Sequence, residues 1–484
     1  MIIISKSKNS ACLALLSVVL LGSSMLSAAD DYEYAVDVDS SLAQLRVVAR
    51  FATAISNVSA RSRTAAQFLI DAEDCDSGKR IEIRNRRMLL PQQGVQCLRY
   101  SIDLRKAAQA ERRNESLDTR NIVVSPTVWM WRPRLRDDDG IIVRFNLPVG
   151  LGVSVPWAPV NASDDSYRLA SSPQSGTAMS IFGRFDSAVA DVAGTDLRID
   201  LLHAAADYDA AAIVEWIRDT AGHITLAYGR FPNPAARIIV FPVTGSTWRS
   251  DSRAVVFGRV VRDGGETVEL LVDPSEPIEA FYADWTATHE LSHMMLPYLR
   301  GEQRWVSEGF AQYYQNLLLA RAGRYTEQYA WQKLHDGLQR GRESVPDLSP
   351  NAAASGDERN SRMKVYWSGA ALALMADVEL RRRSRGRESL DTVLGRFQRC
   401  CLPSRRTWSG TELFTKFDSL LDEPLFMQLY LRYADASGFP DVRPLLEQLG
   451  VVVEGGDVRF SNDAELAETR AALTAQRYTD VPGN

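Results

Sequence analysis

The chain has 484 residues, too many for one compact core, and ordinary domain sizes point to about three domains. Hydrophobic residues make up 45% and charged residues 24%, the balance of a globular protein rather than a disordered or low-complexity one. A net charge of -5 leaves no basic surplus, so nothing in the totals points to nucleic acid or to an anionic membrane as partner.

Residues 1–29 read as a secretory signal peptide. Lys6 and Lys8 supply a positive start, Ala11 to Leu21 form a short apolar stretch, and Ser27 and Ala29 are the small residues before a cleavage point at Asp30. A lone anchoring helix is the alternative, but the stretch is short for a membrane span. Cys12 lies at the start of the apolar region, away from the cleavage point, which argues against a lipid anchor. No second stretch is apolar enough to cross a bilayer. The expectation is therefore an exported protein, periplasmic or secreted, with no stable membrane span once the signal is removed. Four cysteines remain: Cys75, Cys97, Cys400 and Cys401. In an oxidising compartment Cys75 and Cys97 could bond, whereas a bond between neighbours Cys400 and Cys401 would be uncommon. The two pairs lack C-x-x-C spacing, so a metal site built from them is not expected.

The remaining chain divides, on its patterning, into an N-terminal β domain over 30–170, a mixed helix-and-strand domain over 171–330, a helical domain over 331–450 and a small appendage over 451–484. In the first, alternating stretches such as Leu45 to Phe51 and Ile141 to Phe145 are separated by turn signals including Asp137-Asp138-Asp139-Gly140. That pattern predicts a sandwich-like fold. Ala210 to Tyr228 then carries helical spacing in Ile213, Ile217, Ala221 and Ile224, and Phe231-Pro232-Asn233-Pro234 ends it. Arg237 to Phe241 reads as a buried strand. Arg253 to Val261 and Thr267 to Val272 read as two more, joined through Asp263-Gly264-Gly265. Helices are predicted over Pro277 to Leu296, Ser307 to Ala322 with Gly323 as stop, and Met363 to Arg383. Further helical signals run from an N-cap at Ser389 to about Leu449.

His289-Glu290-Leu291-Ser292-His293 is the sharpest chemical signal, in a chain with only five histidines. On a helix, residues i and i+4 share a face, so both imidazoles can reach one metal ion. Glu290 is rotated by about 100° from His289 and points beside the metal, where a water would sit. Two histidines and one carboxylate suit zinc and leave a position for that water, whose pKa falls to near 7. A third ligand is expected from Trp305-Val306-Ser307-Glu308-Gly309-Phe310-Ala311. Glu308 is placed there in the first turn of the next helix, behind Ser307 as N-cap, and a return of the chain after a short turn would bring it beside the histidines. Such a carboxylate also suits the helix dipole.

The H-E-x-x-H helix followed by W-V-S-E-G-F-A-x-Y-Y resembles the gluzincin metallopeptidases, and most closely the glycyl aminopeptidase family. The resemblance extends through Phe145-Asn146-Leu147-Pro148, Tyr228-Gly229-Arg230-Phe231-Pro232, Tyr366-Trp367-Ser368-Gly369-Ala370 and Glu388-Ser389-Leu390-Asp391-Thr392-Val393-Leu394, roughly over residues 145 to 450. It implies a multidomain α+β protein with a β-rich N-terminal domain, a thermolysin-like catalytic domain and a helical C-terminal domain. It implies one zinc per chain on His289, His293 and Glu308, with Glu290 activating water for hydrolysis of a peptide or protein substrate. It also implies that Tyr366 donates to the oxyanion of the transition state.

The sequence departs from the aminopeptidases of this clan in one respect. They carry a Gly-rich strand motif whose glutamate holds the substrate's free amino group. The nearest text is Gly264-Gly265-Glu266, where Glu266 reads better as a hairpin residue. An aminopeptidase is the first expectation, with an endopeptidase of the same clan or a catalytically silent zinc-binding protein as alternatives. Arg381-Arg382-Arg383, with Arg385 and Arg387, reads as a solvated helix end. His203, His223 and His335 have no partner at ligand spacing and are expected to be structural or exposed.

Overall fold

The computed structural model describes residues 32–110, 120–135, 139–161, 165–171, 177–203, 208–243, 254–356 and 358–475. The signal segment 1–29 and Asp137-Asp138 of the expected turn lie outside the described residues. The N-terminal region is β-rich, as its alternation predicts. Leu45, Val47, Ala49 and Phe51 of strand Gln44–Ile55 point into the core while Arg46 and Arg50 face out. That strand lies inside a seven-stranded sheet in which Tyr32–Val38 pairs antiparallel with it and parallel with Gly140–Asn146. Two three-stranded sheets complete the region. One joins Asn121–Val124 and Gly152–Ser154 to Ser180–Gly183, so the chain beyond 171 still contributes a strand here. Cys75 and Cys97 form a disulfide between neighbouring strand ends, and Cys400 and Cys401 are bonded to each other.

The second layer is a five-stranded sheet in the order Asp186–Val192, Thr195–Leu201, Arg237–Pro242, Glu266–Val272, Val255–Arg262. Arg237–Pro242 is buried at every position and parallel to both neighbours, which fits its near-continuous apolar text. Helix Ala210–Thr225 makes the crossover, capped by the Asp209 carboxylate accepting from the Ala212 amide, and buries Ile213, Ile217, Ala221 and Ile224. Val255–Arg262 is the sheet's edge, and the metal-motif helix packs on it.

Beyond residue 300 the described chain is mainly helical, and one continuous core runs from the five-stranded sheet into these helices. Helix Arg304–Arg321 and the long helix Glu358–Ser384 cross almost backbone to backbone. A Cβ on Gly309 would collide with the main chain of Gly369, and one on Gly369 with the Trp305 carbonyl. Both glycines belong to the motifs singled out above, and close approach is the physical reason for them.

Around the same crossing sits a buried polar network. Asp377 accepts from the Tyr313 hydroxyl at 2.9 Å, Arg381 Nε at 2.8 Å and the Leu390 amide at 2.9 Å. Asp391 accepts from the Tyr314 hydroxyl at 2.9 Å and pairs with Arg321 at 3.0 Å. This corrects the reading of the arginine run. Arg381 is 3% exposed and closes the network, and only Arg382 and Arg383 form a surface pair with Glu379. The solvated helix end holds for Arg382, Arg383, Arg385 and Arg387, which are exposed, and fails only at Arg381, which Asp377 and Asp391 draw into the core. Ser389 caps helix Leu390–Cys401 as expected, in a reciprocal box with Thr392. The final segment packs onto the core through hairpin Val451–Glu454/Asp457–Phe460 and helix Ala467–Thr474.

His223 is buried on the crossover helix, where burial and the nearby Arg324 charge pull its pKa from 6.5 to about 4 against the opposing Asp219. A histidine buried neutral binds protons more weakly folded than unfolded, so its contribution is intact above pH 6.5 and is lost as pH falls through 4. The unfolding free energy of the wild type is expected to drop by about 3 kcal/mol more over that interval than that of His223→Phe, read from urea midpoints at the two pH values.

Candidate metal centre

The single helix expected over Pro277 to Leu296 is instead three pieces: Ile278–Ala283, Thr286–Ser292 and a 3-10 turn at His293–Met295. Asp284 makes the break. Its extended backbone ends the first helix, one carboxylate oxygen accepts from the Thr286 amide at 2.7 Å, and the other accepts from the Val255 amide at 3.2 Å. The motif helix is thereby tied at its start to the sheet's edge strand. An Asp two residues ahead of a helical stretch is a cap signal, and here it is hidden inside an otherwise regular apolar pattern. Burial pushes the Asp284 carboxyl up to about 6.

The other end of the helix is held by Arg262. Its Nη2 donates at 3.0 Å to both the His293 and Leu296 carbonyls, and its Nε pairs with Glu266 at 2.7 Å. These carbonyls lie at the end of the helix, where few carbonyls find partners along the chain, and the His293 carbonyl accepts from the Leu296 amide as well. Glu266 also accepts from Asn233 Nδ2 at 2.6 Å and is buried, so both its oxygens serve this clamp. That agrees with its reading as a hairpin residue. No signal local to the motif points to Arg262.

The chain then passes Tyr298 and a 3-10 turn at Gly301–Gln303 into helix Arg304–Arg321. Ser307 is therefore not the N-cap, and Glu308 lies beyond the first turn rather than within it. The preceding 3-10 turn leads straight into the helix and starts it earlier than the sequence suggests. Ser307 has a different partner: its Oγ lies 3.1 Å from His293 Nδ1. Two turns beyond Glu308, Gln315 Oε1 lies 3.1 Å from His289 Nδ1.

These elements bring His289, His293 and Glu308 together. One potential ligand atom from each falls within 4.8 Å of the others, and Glu308 Oε2 lies 3.4 Å from Nε2 of both rings. Two imidazole nitrogens and one carboxylate oxygen, converging and mostly buried, form a donor set that suits zinc. Burial raises the Glu308 carboxyl, but His293 and His289 outweigh it and hold it well below the usual range. Glu290, one residue from the first histidine, behaves oppositely. Burial pushes it up to about 7, with Glu308 adding to the rise while His289 and the Val260 amide oppose it. The edge strand can approach Glu290 because Gly258 has no side chain; a Cβ there would strike the Glu290 methylene.

Tyr366, on the long helix, stacks on His289 with ring centroids 5.7 Å apart and planes 12° apart. The charge of Glu308 first, then burial and Glu290, raise its phenol well above the ordinary value, and its hydroxyl bonds Glu308. A cavity of about 290 Å³ opens against this group, lined by Phe257, Gly258, Arg259, Glu290, His293, Glu308 and Tyr366 among others. A larger depression of about 390 Å³ around Arg218, His223 and Arg324 shares no residue with it. His203 and His335 pair with Asp186 and Asp336 and take no part.

Comparison with known proteins fits this geometry. Residues 297–372, which include Glu308 and Tyr366, match the model of the M61 glycyl aminopeptidase family. A comparison with curated proteins finds no match. Among solved structures the fold is similar to an aminopeptidase N family protein from Idiomarina loihiensis, at 14% identity and a TM-score of 0.63, covering 87% of this chain and 79% of that one. It is also similar to a point mutant of a two-domain M1 zinc metallopeptidase bound to L-arginine, at 14% identity and a TM-score of 0.50, covering 85% and 95%. The mixed α+β architecture, β-rich first and helical last, is similar to that of these two proteins.

Replacing Arg262 with Met should destabilise the protein by about 3–5 kcal/mol, because it strands Glu266 as a buried unpaired charge. Urea unfolding of the metal-free protein checks this, and an unchanged midpoint would show that the clamp is dispensable. The matched segment, the fold and the His-His-Glu cluster make the chain similar to the glycyl aminopeptidases and support a zinc metallopeptidase.

Proposed function

We propose that His289, His293 and Glu308 hold one zinc ion and that Glu290 and Tyr366 act with it in hydrolysing a peptide bond. The observation that carries this reading is the convergence of the three ligand atoms within 4.8 Å beside a cavity large enough for part of a peptide. When bound, zinc supplies Lewis acidity toward the scissile carbonyl and makes a neighbouring water more acidic. Glu290 takes the proton from that water at its carboxylate and later passes it to the leaving amine. Burial raises the Glu290 carboxyl to about 7 without metal, and a cation beside it would favour the carboxylate form that a base must present. Tyr366 keeps its proton throughout ordinary pH and so can donate to the oxyanion that appears only in the transition state. The five-stranded sheet with its edge strand beside the metal helix further supports a thermolysin-like reading of this region.

The likeness to glycyl aminopeptidases and to the aminopeptidase N fold favours removal of amino-terminal residues. One observation favours the second reading, an endopeptidase. Glu266, the nearest counterpart of the amine-binding glutamate, is occupied by Arg262 and Asn233. Export is supported by the signal-like start and by the two disulfides, which suit an oxidising compartment. Among the described residues no helix is long and apolar enough to cross a membrane.

Glu290→Gln keeps the shape of the side chain and removes its basicity. It is expected to retain zinc while peptidase activity falls by roughly 10²- to 10⁴-fold; full activity with zinc bound would remove Glu290 from the mechanism. Matched peptides with free and N-acetylated ends separate the two specificities. An aminopeptidase cleaves only the free form, and comparable cleavage of both establishes the endopeptidase.

A further inference from the structure

Each imidazole of the cluster has a second nitrogen turned away from it, and what that nitrogen meets governs how strongly the ring can bind metal. His289 Nδ1 lies 3.1 Å from Gln315 Oε1, and His293 Nδ1 lies 3.1 Å from Ser307 Oγ. A ring that lends its Nε2 lone pair to a metal carries its proton on Nδ1, so both rings donate to these oxygens. Helix Arg304–Arg321 supplies both acceptors as well as the Glu308 carboxylate. Gln315 is 4% exposed, one side of a buried pair with His289, which is 2% exposed. At that depth the ring is oriented by packing, including the Tyr366 stack, by Glu308 on its Nε2 side and by Gln315 on its Nδ1 side.

The acceptors are both uncharged. A carboxylate in the same place would draw on the ring proton, make Nε2 more basic and tighten the metal bond. An amide oxygen fixes the ring without that electrostatic pull. We propose that Gln315 is a positioning residue for His289, and that its neutral side chain makes the site bind zinc less tightly than a carboxylate-backed one would. The proposal rests on the zinc reading given above and adds a second claim to it, about the strength of binding.

The full-length protein, stripped of metal with a chelator, is titrated with zinc at pH 7.5 against a competing chromophoric chelator. Gln315→Met fills the same space but cannot accept, and it should weaken zinc binding by roughly 10- to 100-fold. Gln315→Glu offers a carboxylate and should bind zinc about tenfold more tightly than the wild type. Thermal unfolding of each metal-free variant reports whether the fold is intact. If the Met variant does not fold, Gln315→Glu against the wild type carries the test alone. Equal affinity of the wild type and Gln315→Glu, or of the wild type and a folded Gln315→Met, overturns the role given to Gln315. A wild-type protein that takes up no zinc at all overturns the metal reading itself, which is a different result.

Discussion

Helix Arg304–Arg321 and helix Glu358–Ser384 touch through Gly309 and Gly369, and the site depends on that contact. The first helix brings Glu308 to the histidines and Ser307 and Gln315 to the backs of their rings. The second lays Tyr366 against His289. Any side chain at either glycine would push the helices apart and move these groups with them. The Asp377 and Asp391 network, with Tyr313, Tyr314, Arg321 and Arg381, fastens the same two helices further along and ties them to helix Leu390–Cys401. Breaking a buried pair of this sort costs about 3–5 kcal/mol, so the crossing is held by polar bonds as well as by packing.

The two carboxylates near the histidines show how position alone divides labour. Glu308 faces both imidazoles and stays ionised far below the usual range, which suits the ligand role proposed for it. Glu290 lies one residue from His289, is buried against the edge strand, and titrates near neutrality. Environments that separate two acids in this way are what acid and base assignments rest on. The edge strand contributes to the separation twice, through the absent side chain of Gly258 and the amide of Val260.

Much of this was legible in the sequence, and the gaps have a common cause. The i, i+4 pair of His289 and His293 is a local pattern, and so were the alternation of Leu45 to Phe51, the helix of Ile213 to Ile224 and the cap at Ser389. Glu308 needed the motif around it, and Tyr366 entered through family resemblance alone. What the sequence did not reveal were long-range partnerships. Asp284 interrupts its helix because Val255 is within reach. Ser307 serves His293 instead of capping. Arg381 is buried between Asp377 on its own helix and Asp391 on the next. Arg262 and Gln315, which hold the metal helix and its first ring, sit in text that looks like ordinary strand and helix.

Anomalous diffraction at the zinc edge, from crystals of the zinc-loaded protein, tests the metal centre most directly. One strong peak is expected per chain, about 2.0–2.2 Å from His289 Nε2, His293 Nε2 and a Glu308 carboxylate oxygen. A peak elsewhere, or none between these three residues at full zinc loading, would contradict it.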